Sequence, residues 1–291
     1  TIDGINYTPE NGVVEVSLDI GYHVISVPVS VPIDTDTRMD FVSWSDGVTA
    51  SNRSVEVTSE GVDLEANYEV MYRVTVISRV GTTQGSGWYA QGSMVRISVA
   101  PESLVMENKT RYIFLRWEGT WGNNAFNPAK RIQTVGPLEG PIVVVARWRV
   151  EYYVEVISKY DYPRGEGWYP AMSNAVISVE KECVFTNGTK AVFTGWSGDV
   201  SSTSPEVSIT VDSPKTVNAS WEVYYKVALT FVDDDNVPVN PSRVGIAGPE
   251  GGIPCTPKEA TCVIWMKPGT YKVVEAIYMG VDVSKGTTIP V

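Results

Sequence analysis

The stretch that decides the fold is Gly85-Ser86-Gly87-Trp88-Tyr89, which recurs as Gly165-Glu166-Gly167-Trp168-Tyr169. The two tryptophans lie 80 residues apart, and each block follows a similar alternating segment, Tyr72–Ser78 in one case and Tyr153–Ser158 in the other. Recurrence at a fixed distance is typical of a chain built from repeated units. The chain therefore contains at least two copies of one structural unit.

A second block adds a third copy. It is Phe41-Val42-Ser43-Trp44 in the first copy, Phe114-Leu115-Arg116-Trp117 in the second and Phe193-Thr194-Gly195-Trp196 in the third. Each copy closes on a short alternating segment that ends in an aromatic residue, at Tyr68, Trp148 or Trp221. These ends predict four domains, at residues 1–71, 72–152, 153–224 and 225–291.

The apolar residues of each copy recur with a period of two, as at Val207, Ile209 and Val211, and Gly, Pro, Asn or Ser interrupts the pattern about every 8 to 12 residues. No segment keeps a 3.6-residue apolar period long enough for a helix. We expect an all-β chain of tandem Ig-like β-sandwich domains in an elongated array. The segment from Tyr225 departs from the repeat and predicts a small seven-strand sandwich of another type.

The WSDG-like block Trp44-Ser45-Asp46-Gly47, the GxGWY-like blocks and the closing strands resemble β-repeats that occur in tandem in large archaeal cell-surface proteins. They are more distantly similar to Listeria- and Bacteroides-type repeats, and the resemblance covers residues 14–224. From residue 225, the stretch Lys267–Val273 resembles carboxypeptidase-regulatory-like and related Ig-type domains of surface proteins. The resemblance implies an extracellular building module without catalysis. The first unit is shorter and has no GxGWY block, so the completeness of its sheet is open.

The residue inventory argues against an enzyme. The chain of 291 residues has one His and three Cys. Zinc sites, Ser/His/Asp triads and Cys/His pairs need imidazole or thiol groups close to one another, and this chain has little material for them. We expect no enzymatic activity, no catalytic residue, no bound metal and no cofactor.

The net charge of −11 argues against a nucleic-acid partner, because such binding depends on cations that neutralise phosphates. The charge is unevenly distributed. Residues 1–71 carry 13 acidic and 2 basic side chains, whereas residues 72–152 carry 5 acidic and 10 basic ones. The asymmetry favours either head-to-tail association between copies of the chain or neutralisation between neighbouring domains of one copy.

No window of about 18 consecutive apolar residues occurs, so the sequence predicts no membrane insertion by a helix. Residues Thr1–Tyr7 lack the basic start and apolar stretch of a secretion signal. We expect that a leader has been removed or that the chain is a segment.

Five Asn-x-Ser/Thr triplets predict N-glycosylation and an extracellular location. The candidate acceptors are Asn6, Asn52, Asn108, Asn187 and Asn218. The alternative is that a chain rich in Ser, Thr and Asn accumulates such triplets for turn formation alone.

Two of the cysteines, Cys255 and Cys262, have a spacing that suits a disulfide across a hairpin in an oxidising compartment. The alternative is a pair of reduced, buried thiols. Cys183 has no partner in its own unit and is expected to be a small buried apolar residue.

The aromatic pairs Trp88-Tyr89 and Trp168-Tyr169 suggest platforms on which sugar rings stack. Their recurrence at one place in each repeat favours a common packing role inside each sandwich instead. By the same argument Trp44, Trp117 and Trp196 are expected in the domain cores.

Two further sites are weighed against simpler structural roles. Asp233-Asp234-Asp235-Asn236 offers oxygen ligands for calcium but lacks the EF-hand spacing, so a solvated hairpin turn is favoured. His23 lies in an alternating segment and is expected to be structural.

A chain of sandwich domains without chemistry still has exposed strand edges, and an unpaired edge accepts a strand from another molecule. We therefore expect a structural subunit of an extracellular surface filament whose copies add head to tail by β-strand addition. The candidate donor strand is Thr1, Ile2, Asp3, Gly4, Ile5, Asn6 and Tyr7, and the C-terminal strand Thr287–Val291 is the second candidate.

Two other functions are kept as alternatives. One is a spacer segment of a larger surface or S-layer protein, and the other is a carbohydrate-binding adhesin that uses the Trp-Tyr pairs. The expected partners are copies of the chain itself and, for the adhesin, surface glycans.

Overall fold

A computed structural model describes residues 1–121 and 126–291. Throughout these residues the chain is built from strands, in several sheets, and has no helix. The prediction of an all-β chain is confirmed. In the same residues there is accordingly no helix of the length and apolarity that a bilayer crossing requires.

The first expected domain contains four strands and opens a fifth. They are β1 (Gly21–Ser26), β2 (Ser30–Pro32), β3 (Thr37–Trp44), β4 (Asn52–Val57) and β5 (Ala66–Ile77). The second continues with β6 (Thr82–Gln84), β7 (Gly87–Ala90), β8 (Val95–Ala100), β9 (Ser103–Val105), β10 (Thr110–Gly119), β11 (Ile132–Val135) and β12 (Ile142–Ile157).

The third expected domain follows the same order. Its strands are β13 (Gly167–Pro170), β14 (Ser173–Ser178), β15 (Glu182–Val184), β16 (Thr189–Gly198), β17 (Glu206–Val211) and β18 (Lys215–Thr230). The last domain adds β19 (Arg243–Gly248), β20 (Gly251–Cys255), β21 (Thr261–Met266), β22 (Thr270–Tyr278), β23 (Val281–Asp282) and β24 (Thr288–Pro290).

The chain divides into two compact units. One comprises residues 1–105 and 112–150, and the other comprises residues 106–111 and 151–291. The boundaries that the sequence places after residues 71, 152 and 224 fall inside β5, β12 and β18. No loop therefore separates one expected domain from the next at these three points.

The second and third repeats share one strand plan. In each, the opening strand pairs in parallel with the closing strand of the same repeat. Val74 of β5 lies opposite Ile142 of β12, and Val154 of β12 lies opposite Lys215 of β18. A smaller sheet, β6-β8-β11 in the second repeat and β14-β17 in the third, completes each repeat.

Alternating side chains of these sheets form one buried cluster per repeat, because successive residues of a strand point to opposite faces. The second repeat buries Val74, Ile97, Trp117 and Val144, and the third buries Val154, Ile177, Trp196 and Val217, with further apolar neighbours in each case. The first repeat differs. Among residues 1–71, all of which the structure describes, Trp44 is the one buried apolar side chain.

An aromatic triad recurs in every repeat. The three tryptophans predicted to be core residues, Trp44, Trp117 and Trp196, are 5%, 1% and 3% exposed, so this prediction is confirmed. Each packs edge-on or tilted against the Phe three residues before it, at centroid distances of 5.6, 5.5 and 5.2 Å. The same Phe contacts the closing aromatic residue, which is Tyr68, Trp148 or Trp221.

The last expected domain contains seven strands, counting the second half of β18. β18 pairs with β21, and β19 lies between β20 and β22, which also pairs with β23 and β24. Its buried cluster includes Ile246, Met266, Tyr271 and the two cysteines Cys255 and Cys262.

Candidate functional site

The most regular feature of the molecule is the way each repeat joins the domain that follows it. We call these three regions the first, second and third junction, centred on β5, β12 and β18. The residues named below for the first junction lie in the first unit, and those for the second and third junctions lie in the second unit.

A backbone hydrogen bond ties a hairpin to the strand of each junction. The donors are the N–H groups of Arg73, Tyr153 and Lys226, and the acceptors are the carbonyls of Asp36, Lys109 and Gly188, at 2.9, 3.1 and 2.8 Å. Each acceptor stands eight residues before the core tryptophan of its repeat. The same local geometry is therefore built three times.

A cation lies over a tryptophan ring at each junction. The Arg38 guanidinium lies 4.5 Å from the Trp88 ring centroid, the Arg111 guanidinium 4.7 Å from that of Trp168, and the Lys190 ammonium 5.4 Å from that of Trp265. The negative face of an indole attracts a cation at these distances. Each cation precedes the core tryptophan of its repeat by six residues, a spacing that the sequence contains and that our sequence analysis missed.

A carboxylate forms an ion pair with each of these cations. Asp40 accepts from Arg38 at 2.7 Å, Glu151 accepts from the Arg111 Nε at 2.9 Å, and Glu182 lies 3.6 Å from Lys190. The Glu151 side chain is 5% exposed. A buried carboxylate needs a close cation, so the second junction depends most strongly on its arginine.

Ion pairs of opposite polarity accompany the first two junctions. Asp36 lies 3.5 Å from Arg73, whereas Lys109 lies 2.7 Å from Glu155. The hydrogen bond from Lys109 lowers the pKa of the Glu155 carboxyl from its ordinary value. The acidic first domain and the basic second domain are thus linked by at least one ion pair within the first unit.

The first glycine of each GxGWY block lets the block lie directly on a neighbouring strand. Gly85 and Gly165 have φ values of 100° and 91°, which side chains rarely adopt. A Cβ on Gly165 would fall 2.2 Å from the Val176 carbonyl oxygen, and one on Gly85 would fall 2.6 Å from that of Arg96. The glycines therefore allow the close approach that places Trp88 and Trp168 at the junctions.

These positions differ from both interpretations of the Trp-Tyr pairs. Trp88 and Trp168 are half-buried and lie outside the buried clusters of their repeats, whereas Tyr89 and Tyr169 pack against those clusters. One face of each indole is covered by Arg38 or Arg111. Packing against the buried cluster of each repeat explains the tyrosines, and the junction contacts explain the tryptophans.

The candidate glycosylation sites differ in accessibility. Asn6, Asn52, Asn108 and Asn187 are exposed. Asn218 is half-buried in β18, between its strand partners Ile157 of β12 and Ser197 of β16.

The cysteines and the acidic turn have ordinary structural surroundings. A disulfide joins Cys255 to Cys262, and Cys183 is a half-buried free thiol whose pKa is raised by burial. The Asp233 carboxylate accepts hydrogen bonds from the backbone N–H groups of Asp235 and Val237, which closes the hairpin turn. Across residues 1–121 and 126–291, no group of three or more His, Cys, Asp or Glu side chains is arranged to hold a metal ion.

The first part of the candidate donor strand pairs with β1 of its own chain. Ser26 and Thr1 exchange hydrogen bonds, and the Asp3 N–H donates to the Val24 carbonyl at 2.8 Å. The second candidate also has a partner in its own chain, since β24 pairs with β22. Residues Gly4–Tyr7 follow in a turn and a short bridge between Ile2 and Ile5.

His23 fastens the N-terminal residues to β1. Its Nδ1 lies 2.6 Å from Asp3 Oδ2, and its Nε2 lies 2.8 Å from the Asp19 carbonyl oxygen. Because a carbonyl accepts hydrogen bonds and does not donate them, Nε2 carries a proton, and Nδ1 donates to Asp3 when the ring is charged. The hydrogen bond with Asp3 raises the pKa of His23, and the same bond lowers the pKa of Asp3.

The attachment of residues 1–3 is expected to weaken as the pH rises. A histidine with a raised pKa contributes stability that is fully present below its ordinary pKa, near 6.5, and that is lost as the pH rises through the raised value. Amide hydrogen exchange at Asp3 and Val24, corrected for intrinsic rates, should accelerate across that interval. In His23→Gln the corrected rates should be high and independent of pH. Equal pH dependence in both proteins would contradict this account.

Comparison with protein-family models, curated proteins and solved structures finds no match to this chain.

Proposed function

We propose that this chain is a structural, non-enzymatic subunit of an extracellular surface filament, in which Ig-like sandwich domains follow one another in an elongated array. The observation that supports it most is the threefold repetition of the junction. At each junction the strand continues from one domain into the next, a backbone hydrogen bond ties a hairpin to it, and a cation stacks on a tryptophan. These features take the place of the flexible linker that separates independent domains. This arrangement suits a protein that bears mechanical load.

Copies of the chain join head to tail by β-strand addition in this proposal. The first repeat has a small core, and it lacks the parallel opening strand that pairs with the closing strand in the second and third repeats. An added strand supplies backbone hydrogen bonds and buried side chains to such an incomplete sheet. The net charge of the first domain, with its 13 acidic and 2 basic residues, limits unspecific aggregation of that open surface.

An extracellular location fits two further observations. Four of the five candidate acceptor asparagines are exposed, and a disulfide lies in the core of the last domain. Disulfides persist in oxidising compartments. The similarity of the WSDG-like and GxGWY-like blocks to repeats of archaeal surface proteins adds to this proposal and rests on those motifs.

A spacer within a longer surface or S-layer protein is the second candidate, because the same junctions serve a spacer equally well. A carbohydrate-binding adhesin has less support. A sugar that stacks on an indole needs a free ring face, and Arg38 and Arg111 each cover one face of Trp88 and Trp168.

The proposal is tested by secreting the full chain from a host cell and examining the purified protein by negative-stain electron microscopy over a range of concentrations. We expect regular polymers whose length grows with protein concentration. A protein that stays monomeric at every concentration, including at high salt, would contradict the filament function and leave the spacer as the better candidate.

A further inference from the structure

The first repeat lacks the strand that opens the second and third repeats. In those repeats the opening strand pairs in parallel with residues 142–145 or 215–218 of the closing strand. Aligning the closing aromatic residues places residues 62–65 at the matching position of the first repeat. Residues 62–65 lie in no strand, and across residues 1–121 and 126–291 no strand pairs with them.

The missing strand leaves apolar positions uncovered. Val62 is 47% exposed, whereas its counterpart Ile142 is 4% exposed. Ile25 of β1 is half-buried, whereas the matching Ile177 of β14 is fully buried. The edge at residues 62–65, which we call the acceptor edge, therefore offers an apolar surface and unpaired backbone groups at residues 62–64. The N–H and C=O of Glu65 are hydrogen-bonded to Ser45.

The same repeat contains an exposed segment with the composition of an opening strand. Residues 13–18 read Val-Val-Glu-Val-Ser-Leu, and Val14-Glu15-Val16 is identical to Val154-Glu155-Val156 of the third repeat's opening strand. Val14 and Val16 are 39% and 37% exposed, whereas Val154 and Val156 are buried. In the described part of the chain, residues 14–18 take part in no strand and no backbone-to-backbone hydrogen bond.

One absence explains both unpaired segments. β7 and β13 lie five to eight residues before the first inward-facing residue of β8 and of β14. Residues 15–18 lie at the same distance before the first inward-facing residue of β1, so they occupy the place of β7 and β13. β7 and β13 pair with the opening strand of their own repeat. Without that strand in the first repeat, residues 14–18, which we call the free segment, have no strand partner, and the acceptor edge is bonded only at Glu65, to Ser45.

The free segment is too closely tethered to fill the acceptor edge of its own chain. The chain makes four Cα-to-Cα steps from Ser17 to Gly21, the first residue of β1, and these steps span at most about 14 Å. Two sheets packed face to face lie about 10 Å apart, so only about one residue's length remains for a turn. The second repeat uses residues 78–94 for the corresponding connection.

We propose that the free segment of one copy is the donor strand that pairs in parallel with the acceptor edge of a second copy. This inference rests on the proposed assembly by strand addition, and it identifies the two segments that pair between copies. The register follows from the other repeats, in which Val156 lies opposite Val217 and Val76 opposite Val144. By the same register Val16 lies opposite Leu64, and Ser17 lies opposite Glu65.

The other candidate donors are less suited to this position. Thr1–Asp3 already pair with β1, and Thr287–Val291 includes β24, which pairs with β22. Pro290 also has no N–H to donate to a neighbouring strand. Because a copy that donates its free segment keeps its acceptor edge open for a further copy, the association continues as an open chain.

Charge modulates the association in a defined direction. In the inferred register Glu15 lies opposite Asp63, and both belong to a domain with 13 acidic and 2 basic residues. Like charges opposite one another on paired strands repel, and salt screens the repulsion. Pairing is therefore expected to strengthen as the salt concentration rises.

The test uses two full-length variants, Ser17→Cys and Glu65→Cys, which change exposed positions. They are mixed at high salt and treated with a short bis-maleimide. We expect a cross-linked product that contains one copy of each variant, at least tenfold more abundant than the products of either variant alone. The single variants also control for the free thiol of Cys183. The chain with both cysteines should give a ladder of multimers.

Val14→Asp/Val16→Asp, introduced into the cysteine variants, should reduce cross-linking at least tenfold and leave thermal unfolding unchanged, because these valines are exposed. The control with equal added charge is Val237→Asp/Val281→Asp, which changes two exposed valines of the last domain.

A cross-link confined to one chain, or polymers that persist without a cross-link, would overturn the inference and leave the filament function intact. Cross-linked multimers without filaments in the microscope would overturn the filament function alone. Monomers without a cross-link would overturn both.

Discussion

Replacing Arg111 with alanine is expected to lower the free energy of unfolding of the second unit by about 3 kcal/mol. The guanidinium lies over the Trp168 ring and forms an ion pair with the Glu151 carboxylate, which is 5% exposed. Removing the cation from a buried ion pair costs about 3 to 5 kcal/mol, because the charge that stays behind loses a close partner. The lower end applies here because the Arg111 side chain is 28% exposed and Glu151 keeps a further interaction.

Urea denaturation followed by circular dichroism measures the change in the free energy of unfolding. The matched control is Arg116→Ala in the same strand, which removes a surface partner of Glu118 and should leave the unfolding midpoint unchanged. Arg111→Lys should recover part of the loss, since lysine keeps the charge but not the planar fork. Equal midpoints for Arg111→Ala and Arg116→Ala would show that the second junction does not depend on this pair.

Replacing Trp117 with alanine is expected to cost about 3 to 5 kcal/mol in the first unit, because the change removes a large buried ring and leaves a cavity. Trp117 is 1% exposed, packs against Phe114 and donates its indole N–H to the Arg131 carbonyl at 3.3 Å. The comparison variant is Trp88→Ala, which removes a half-buried ring with its face on Arg38. Its loss of cation stacking is worth about 1 kcal/mol.

Differential scanning calorimetry of both variants separates the two roles of tryptophan in this chain. Trp117→Ala should shift the transition of the first unit by several times as much as Trp88→Ala. Similar shifts, or the reverse order, would mean that the junction tryptophan is a core residue, as the sequence suggested.

The sequence was sufficient for the fold class and for the aromatic cores. The period of two in segments such as Val207–Val211 requires strands with one buried face, and the recurrence of Trp44, Trp117 and Trp196 at the same place in each repeat gives them one environment. Both deductions use local pattern alone, which is why they could be made before the structure was known.

The junctions were not accessible in the same way. The closing segment of one repeat and the opening segment of the next alternate with the same period, so the pattern does not show whether a loop or a single strand connects them. The contact of Arg111 with Trp168 joins residues 57 positions apart, and no pattern in the neighbouring sequence indicates it. The recurring cation six residues before each core tryptophan was present in the sequence, but its partner was visible only in three dimensions.

The open edge of the first repeat was partly indicated by the sequence. The repeat is short and has no GxGWY block, which left the completeness of its sheet open. Which edge lacks a strand depends on the parallel pairing of β5 with β12 and of β12 with β18, a long-range property that no segment of the sequence encodes by itself.

The most direct test of the account is a cryo-electron microscopy reconstruction of the assembled polymer, at a resolution that traces the backbone beside residues 62–65. The proposed assembly requires an added strand there, parallel to the acceptor edge, that continues into the β1 of a different copy. Polymers in which this edge stays empty, or is covered by a segment of the same copy, would contradict it.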